Sequence, residues 1–385
     1  SCLNIHVTYV PYFKAAGEVK TKPTQHSVQA LRAIGINPDF IIARCEVALS
    51  QEVREKISLF CNVKKEAVFD AIDVEKSIYE VPLHYFEQNV HGKIAAALQL
   101  PQKKTDLTVW KALIESIKHP KVTLRIGIVG KYVAHQDAYK SIFEALSHAG
   151  AHLCCAVEIV KIEPDKFAHE KSFPKEYQGC DGYIIPGGFG DRGWEGKIMA
   201  AKYCRENKVP YYGICLGMQV LVVEFARSVM KLQQANSTEM NAETPDPVIA
   251  LLEEQQIVTE RGGTMRLGAY PCAITSGTKA HEAYNSSMVN ERHRHRYELN
   301  NSYREKLEKA GLIISGTFEE DNLAEIAEIK DHPWMVGVQF HPEFRSKPTE
   351  PHPLFRAFLE AAITHAKGQS QPHDLKQLCT TGART

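Results

Sequence analysis

The stretch VPYYGICLGMQ, residues 209–219, joins an apolar strand to a helix that continues as VLVVEFAR. Its centre, Gly213-Ile214-Cys215-Leu216-Gly217, places a cysteine between two glycines. A sharp strand-to-helix turn strains the backbone of its central residue and projects that side chain above the sheet, while flanking glycines let neighbouring elements approach. The helix N-terminus favours a thiolate. The pattern therefore predicts that Cys215 is a nucleophile rather than a core cysteine.

Strands and helices alternate on both sides of this turn. The apolar stretches LRIGIVG, CCAVEIVKI, DGYIIPGGFG and VPYYGIC predict strands, and helices are expected at 138–149, 196–206 and after Cys215. Strands that alternate with helices form a parallel sheet covered by helices on both faces. We therefore expect an α/β fold whose active groups gather at the carboxyl ends of the strands.

The 385 residues suggest two or three domains, and we divide the chain into four regions. Residues 1–100 predict an α/β portion that begins inside a domain, and residues 101–122 predict a polar linker with a short helix around Trp110. The repeated strand–helix region covers 123–366. A polar tail, 367–385, is expected to be disordered.

Composition excludes several classes of protein. Lys and Arg total 46, as do Asp and Glu, and a net charge of zero argues against a general nucleic-acid binder. A membrane span needs about 18 consecutive apolar residues, and the sequence contains no such run. The ten cysteines form no C-x-x-C pair, so we expect a reducing, cytoplasmic environment without a disulfide framework.

A thiolate nucleophile needs a base, and the apolar stretch 336–340 runs into His341-Pro342-Glu343. We predict that His341 transfers the proton and that Glu343 holds its imidazole; the alternative is an ordinary loop histidine. The glycine-rich PGGFG, residues 186–190, follows another strand and suits an oxyanion site built from the backbone N–H groups of Gly188 and Leu216, although it could also be a flexible turn. No metal site is predicted.

Three motifs in this order, PGGFG, GICLGMQ and FHPEF, resemble the class I, triad-type glutamine amidotransferases. Longer stretches are similar to the CTP synthase family within that class: ANSTE at 235–239, GGTMRLG at 262–268, ERHRHRYE at 291–298 and KAAGEVKTKPTQHSV at 14–28. The resemblance implies a class I amidotransferase domain preceded by the C-terminal part of a P-loop-type α/β synthetase domain. Without it, ERHRHRYE suggests a basic surface, a phosphate site or, less favourably, a metal site.

The resemblance also implies a reaction. Cys215 would form a glutamyl thioester and release ammonia, which a synthetase domain would use to convert UTP to CTP with ATP. It assigns glutamine contacts to Gly188, Leu216, Gly217, Met218, Gln219, Glu239 and Arg296. It assigns UTP and CTP contacts to Lys20, Thr21, Lys22, Pro23, Thr24, Gln25 and Lys56.

One family feature is missing from the printed residues. The phosphate-binding pattern G-x-x-x-x-G-K-[ST] does not occur, so the ATP cradle and the Mg²⁺ ligands are expected elsewhere, and the chain reads as a fragment or shortened isoform. No tightly bound cofactor is expected; the resemblance implies ATP and Mg²⁺ for the full enzyme, GTP as activator, and a homotetramer or filament. The alternatives are another class I amidotransferase, or a non-enzymatic isoform that acts by joining oligomers.

Overall fold

The structure is a computed structural model that describes residues 2–101, 104–133, 137–251 and 265–368. It divides into two compact units, residues 1–118 and 119–385. The predicted disordered tail lies outside the described residues, except for Lys367 and Gly368 at the end of the last helix. None of the described helices combines the length and apolar composition needed to cross a bilayer.

The first unit is built on three parallel strands, Ile5–Tyr9, Phe40–Cys45 and Val68–Ile72, with Phe40–Cys45 in the centre. Its strands are β1 Ile5–Tyr9, β2 Tyr12–Phe13, β3 Glu18–Val19, β4 Phe40–Cys45 and β5 Val68–Ile72. Its helices are α1 Lys22–Ala33, α2 Gln51–Cys61, α3 Val81–Glu87, α4 Val90–Ala97 and α5 Thr108–Lys118. The central strand β4 is a nearly continuous apolar run because elements cover both of its faces.

One helix predicted for this unit is divided in the structure. The apolar stretch 83–98 predicts one helix, but Asn89 adopts a left-handed conformation, φ 55°, and separates α3 from α4. Asparagine tolerates this conformation better than most residues. The predicted helix around Trp110 is α5, and the indole Nε1–H of Trp110 donates to the carbonyl of Tyr79, 2.7 Å away.

The second unit contains a sheet of nine described strands with the order β13-β12-β15-β16-β17-β9-β8-β6-β7. These strands are β6 Val122–Val129, β7 Cys155–Ile162, β8 Gly182–Ile185, β9 Tyr211–Ile214, β12 Arg266–Ile274, β13 Met288–His295, β15 Leu312–Phe318, β16 Leu323–Ile329 and β17 Met335–Val338. A small second sheet comprises β10 Ala235–Ser237, β11 Asp246–Leu251 and β14 Tyr297–Leu299.

Helices pack against the large sheet through buried apolar side chains. They are α6 Lys140–His152, α7 Trp194–Asn207, α8 Leu216–Ser228, α9 Lys279–Tyr284, α10 Asn301–Lys309 and α11 Pro353–Gly368. Helix α8 is buried along almost its whole length, Leu216 to Ala226. Such a helix needs apolar residues on every side, as LGMQVLVVEFAR nearly provides.

The predicted α/β fold is confirmed, and its parallel part contains the cysteine turn. Strands β7, β6, β8, β9 and β17 pair in parallel. The structure adds an antiparallel extension that the strand–helix rhythm did not reveal, because β16, β15, β12 and β13 continue the sheet beyond β17. Ile214 at the end of β9 lies beside Val338 at the end of β17, which places two chain segments at one edge of the sheet.

Candidate active site

The strand-to-helix turn at Cys215 has the strained backbone that the sequence predicted. Cys215 lies between β9 and α8 with φ 52° and ψ −102°, values that are unfavourable for a residue with a side chain. A Cβ on Gly213 would lie 2.5 Å from the carbonyl carbon of Gly217, and one on Gly217 would lie 2.1 Å from the carbonyl oxygen of Ile185. Steric exclusion therefore explains both glycines.

The structure brings Cys215, His341 and Glu343 together. Cys215 and His341 line the same cavity, and His341 Nδ1 lies 2.8 Å from Glu343 Oε1. A Cβ placed on Gly187 would lie 3.0 Å from His341 Cε1 and 3.5 Å from Cys215 Cβ, so the glycine lets the loop pass close to both residues. The three predicted side chains thus form a continuous chain of contacts.

The surroundings of His341 favour its charged form. Burial alone would lower the pKa of His341, but hydrogen bonds with Cys215 and Glu343 outweigh burial and raise the pKa to about 10. An imidazolium next to sulfur favours a thiolate. The arrangement can therefore supply a nucleophile and, on the same histidine, the proton that a leaving amine requires.

A narrow pocket opens beside the Cys215 sulfur. Five of the predicted glutamine contacts line it, and sequence reasoning missed three further residues there. The predicted residues are Gly188, Leu216, Gln219, Glu239 and Arg296, and the others are Phe189, His295 and Tyr297. Gly217 and Met218 do not line this pocket; they belong to the buried first turn of α8.

Two side chains fix the loop predicted to form the oxyanion site. Lys131 Nζ donates to the carbonyls of Phe189 and Gly190, and the Gly190 N–H donates to Glu239 Oε1 at 2.8 Å. Leu216 begins α8, and the first N–H groups of a helix have no partner within it. Gly188 and Leu216 line the same pocket as Cys215, so their backbones lie near the sulfur.

Buried lysines also lie beneath this loop. Burial lowers the pKa of Lys131, and burial together with the charge of Lys131 lowers the pKa of Lys197 to about 7. Neither lysine is predicted as a site residue from the sequence, where Gly130-Lys131 and Gly196-Lys197 fail the phosphate-binding pattern.

A second, larger cavity of about 300 Å³ reaches Cys215 from the side of His341. Its walls include Tyr139, Ser141, Arg294 and Phe344, none of which the sequence analysis selected. Cys215 thus lies between two spaces, one lined by Glu239 and Arg296 and the other by His341.

The segment ERHRHRYE is only partly the basic surface that its composition suggests. In β13, Glu291, His293 and His295 are buried, whereas Arg292 and Arg294 are exposed. In the sequence, Arg alternates with Glu or His from 291 to 296, which is the period of a strand. This alternation could have identified the buried histidines. Among the described residues, no group of three or more His, Cys, Asp or Glu side chains could hold a metal ion.

The predicted nucleotide segment, Lys20 to Gln25, belongs to the first unit and differs in conformation from expectation. Two lysines and hydroxyl side chains in this segment predict a rigid loop that suits a triphosphate, but α1 begins at Lys22 with Pro23 in its first turn. Proline fits this position because its missing N–H has no helical partner there.

The side chains of this segment divide by burial. Lys20, Lys22 and Pro23 are exposed, as is Lys56 on α2. Thr21, Thr24 and Gln25 are buried, and Gln25 Nε2 donates to Thr21 Oγ1 at 3.0 Å. Lys20 and Lys56 both act on Glu18, whose pKa is lowered first by the hydrogen bond from Lys20. The fold therefore gathers the predicted lysines at one end of α1.

Comparison with known families supports the same assignment for the second unit. Residues 134–361, well over half of the chain, match the model for "Glutamine amidotransferase class-I", and residues 1–100 match "CTP synthase N-terminus". The triad geometry and the first match place the second unit among class I glutamine amidotransferases.

Curated relatives define the family more narrowly. A CTP synthase of Protochlamydia amoebophila is 59% identical over 370 residues, covering 96% of this chain and 68% of that protein. A CTP synthase of Chlamydia felis is 57% identical over 371 residues, with the same coverage. The chain belongs to the CTP synthase family. A solved structure, the glutaminase domain of Trypanosoma brucei CTPS with bound acivicin, is 37% identical, has a TM-score of 0.58, and covers 63% of this chain and 94% of that domain.

Proposed function

We propose that the second unit hydrolyses glutamine to glutamate and ammonia through a covalent thioester on Cys215. Cys215 Sγ attacks the side-chain carboxamide carbon. His341 takes the thiol proton and gives it to the departing nitrogen, so that ammonia leaves and a glutamyl thioester remains. Water then adds to the thioester. His341 takes a proton from this water and gives it to the departing sulfur, and glutamate is released.

The glutamine contacts follow from the charges around the pocket. Glu239 presents a carboxylate for the substrate ammonium, and Arg296 presents a guanidinium for the substrate carboxylate. The backbone N–H groups of Gly188 and Leu216 stabilise the tetrahedral oxyanion. Gln219 lines the same wall, whereas Gly217 and Met218 act through the shape of the helix turn.

One observation carries this proposal: Cys215, at a strained strand-to-helix turn, lines one cavity together with His341, whose Nδ1 lies 2.8 Å from Glu343 Oε1. A buried core cysteine would not need the strained backbone, the excluded Cβ positions or the charged imidazole.

For the complete protein we propose ATP-dependent amination of UTP to CTP by this ammonia. The match of residues 1–100 and the lysines at the start of α1 support a UTP and CTP site that includes Lys20, Thr21, Lys22, Pro23, Thr24, Gln25 and Lys56. Thr24 and Gln25 contribute through the packing of α1, because their side chains are buried.

The residues of this chain do not fit the ATP and Mg²⁺ requirements of that step. The printed sequence lacks the G-x-x-x-x-G-K-[ST] pattern, and the described residues hold no cluster that could bind a metal. We therefore place no ATP step on these residues and propose that it needs synthetase residues outside them. GTP activation, a homotetramer or filament, and a cytoplasmic location remain predictions from the resemblance.

The decisive experiment measures glutamate release from glutamine by the full chain. Cys215→Ala should abolish it, whereas Cys204→Ala, which removes another buried thiol from α7, should keep it. Mass spectrometry of the Cys215 peptide after reaction with an electrophilic glutamine analogue should show a covalent adduct. Glutamate release by folded Cys215→Ala would contradict the proposal.

A further inference from the structure

Five ionisable side chains form a buried ring within the second unit, next to the pocket that we assign to glutamine. They come from four strands: Arg266 from β12, His293 and His295 from β13, Glu298 from β14 and Glu325 from β16. Each is less than one-tenth exposed. Ionisable groups are rarely buried at this density unless they are paired.

The ring is closed by short distances. Arg266 Nη1 donates to Glu298 Oε1 at 3.1 Å and to Glu325 Oε1 at 2.8 Å. His295 Nδ1 lies 3.3 Å from Glu298 Oε1, and His293 Nδ1 lies 3.4 Å from Glu325 Oε2; both contacts are within ion-pair distance but are not hydrogen bonds. The two histidines complete the ring, since His293 Nδ1 lies 2.9 Å from His295 Nε2.

Burial also determines the charge of the ring. It lowers the pKa of His293 to about 3 and lowers that of His295, so both imidazoles are neutral near pH 7. It raises the pKa of Glu325 to about 7 and raises that of Glu298 above its ordinary value, which leaves the ring with one cation and fewer than two full negative charges.

Stability alone does not account for this arrangement. Among the described residues, five polar atoms of the ring have no hydrogen-bond partner within the protein: Arg266 Nη2, Glu298 Oε2, Glu325 Oε2, His293 Nε2 and His295 Nδ1. Buried ion pairs seldom stabilise more than apolar residues of the same volume, and unpartnered buried polar atoms are destabilising.

The strands that carry the ring also contact residues next to Cys215. His295 lines the pocket next to Arg296 and Tyr297, and the Tyr297 carbonyl accepts a hydrogen bond from Gln219 Nε2 at 3.2 Å. The Gln339 N–H donates to the carbonyl of Glu325 at 2.8 Å, and Gln339 Nε2 lies 3.7 Å from Cys215 Sγ. A shift of the ring would therefore move the segment 295–297 relative to the sulfur.

We infer that the ring of Arg266, Glu298, His295, His293 and Glu325 is a positioning unit that fixes the segment 295–297, and with it the Arg296 guanidinium that faces the substrate carboxylate. The inference deepens the proposed function and rests on it. Arg266 acts through its two carboxylates and makes no contact with the substrate itself.

The test compares Arg266→Met, Glu298→Gln and Glu325→Gln with wild type by steady-state glutaminase kinetics. We expect KM for glutamine to rise by about 10- to 100-fold, because a change of this size corresponds to the loss of one or two charge-assisted hydrogen bonds. The value of kcat should change by less than about threefold. Arg266→Lys should recover part of the affinity, because a single Arg nitrogen contacts both carboxylates.

Glu328→Gln is the matched control. Glu328 is a buried carboxylate on β16, the strand that also carries Glu325, but it accepts hydrogen bonds from the N–H groups of Lys279 and Ala280. Glu328→Gln should lower the midpoint of thermal unfolding and leave KM for glutamine unchanged. Iodoacetamide, which needs no carboxylate anchor, should alkylate Cys215 at the wild-type rate in the three ring variants, whereas protection by glutamine should be lost.

Three results would overturn the inference. The first is a wild-type KM in folded ring variants, and the second is a fall in kcat and in the rate of alkylation as large as the rise in KM. The third is unfolding of all three variants. The outcome is separable from failure of the proposed function. Absence of glutaminase activity in wild type would count against that function, and glutamine protection of Cys215 would still test the ring.

Discussion

Replacing Glu343 with Gln keeps the size of the side chain and removes the carboxylate that lies 2.8 Å from His341 Nδ1. The pKa of His341 is raised from 6.5 to about 10 against the effect of burial. At about 1.4 kcal/mol for each pKa unit, this difference represents about 5 kcal/mol of stabilisation of the imidazolium, which Cys215 and Glu343 share.

If Glu343 supplies about half of this stabilisation, the variant loses about 2–3 kcal/mol, equivalent to a fall of about two pH units in the His341 pKa. A group whose pKa is raised holds its proton until the pH passes that value. The alkaline limb of kcat/KM for glutamine should therefore move from near pH 10 towards pH 8, so that kcat/KM falls by about twofold at pH 8 and by about 50-fold near pH 10.

The assay is a pH profile of glutamate release, with iodoacetamide alkylation of Cys215 at pH 7 as a measure of thiolate. Glu350→Gln is the control, because Glu350 is an exposed carboxylate of the same region that pairs with Lys347 at 3.5 Å. An unshifted alkaline limb together with unchanged alkylation in folded Glu343→Gln would refute the role of this carboxylate.

Two further predictions concern stability. Gly217→Ala should lower the free energy of unfolding by about 1–3 kcal/mol in urea, because its Cβ would lie 2.1 Å from the Ile185 carbonyl oxygen, whereas Gly368→Ala, with no atom within 4 Å, should be neutral. Equal effects would contradict the steric argument. Arg205→Met should cost about 3–5 kcal/mol, because it leaves the fully buried Glu224 without the cation 2.9 Å away. Glu206→Gln, which alters only the exposed partner of Arg205, should cost less than about 1 kcal/mol; a small loss in Arg205→Met would show that Glu224 is stabilised by other groups.

Sequence reasoning found the features that depend on neighbouring residues. The turn at Cys215 is defined by five consecutive residues and the elements on either side, so its conformation is determined by the local sequence. Pro23 also carried a local signal, since proline favours the first turn of a helix, and a closer reading would have begun α1 at Lys22.

Features that depend on distant pairing were not visible in the same way. Nothing in the stretch 288–295 shows that it pairs with 266–273 in an antiparallel ladder, and its arginines and histidines suggested solvent. His295 is recognisable as a pocket residue only once β13 lies beside β12, with Glu291 and His293 buried on the same face of the strand. Burial of ionisable groups follows from tertiary partners, which composition does not specify.

The register between β9 and β17 has a consequence for how this chain can vary. Cys215 and His341 are separated by 126 positions in the sequence, yet they follow the adjacent parallel strands β9 and β17. The paired residues of these strands run from Met335 opposite Tyr211 to Val338 opposite Ile214. Backbone ladders, rather than the intervening polypeptide, set their separation. Surface turns in that intervening stretch can accept insertions without moving sulfur and imidazole apart, whereas a slip of one residue in β17 would disrupt the triad.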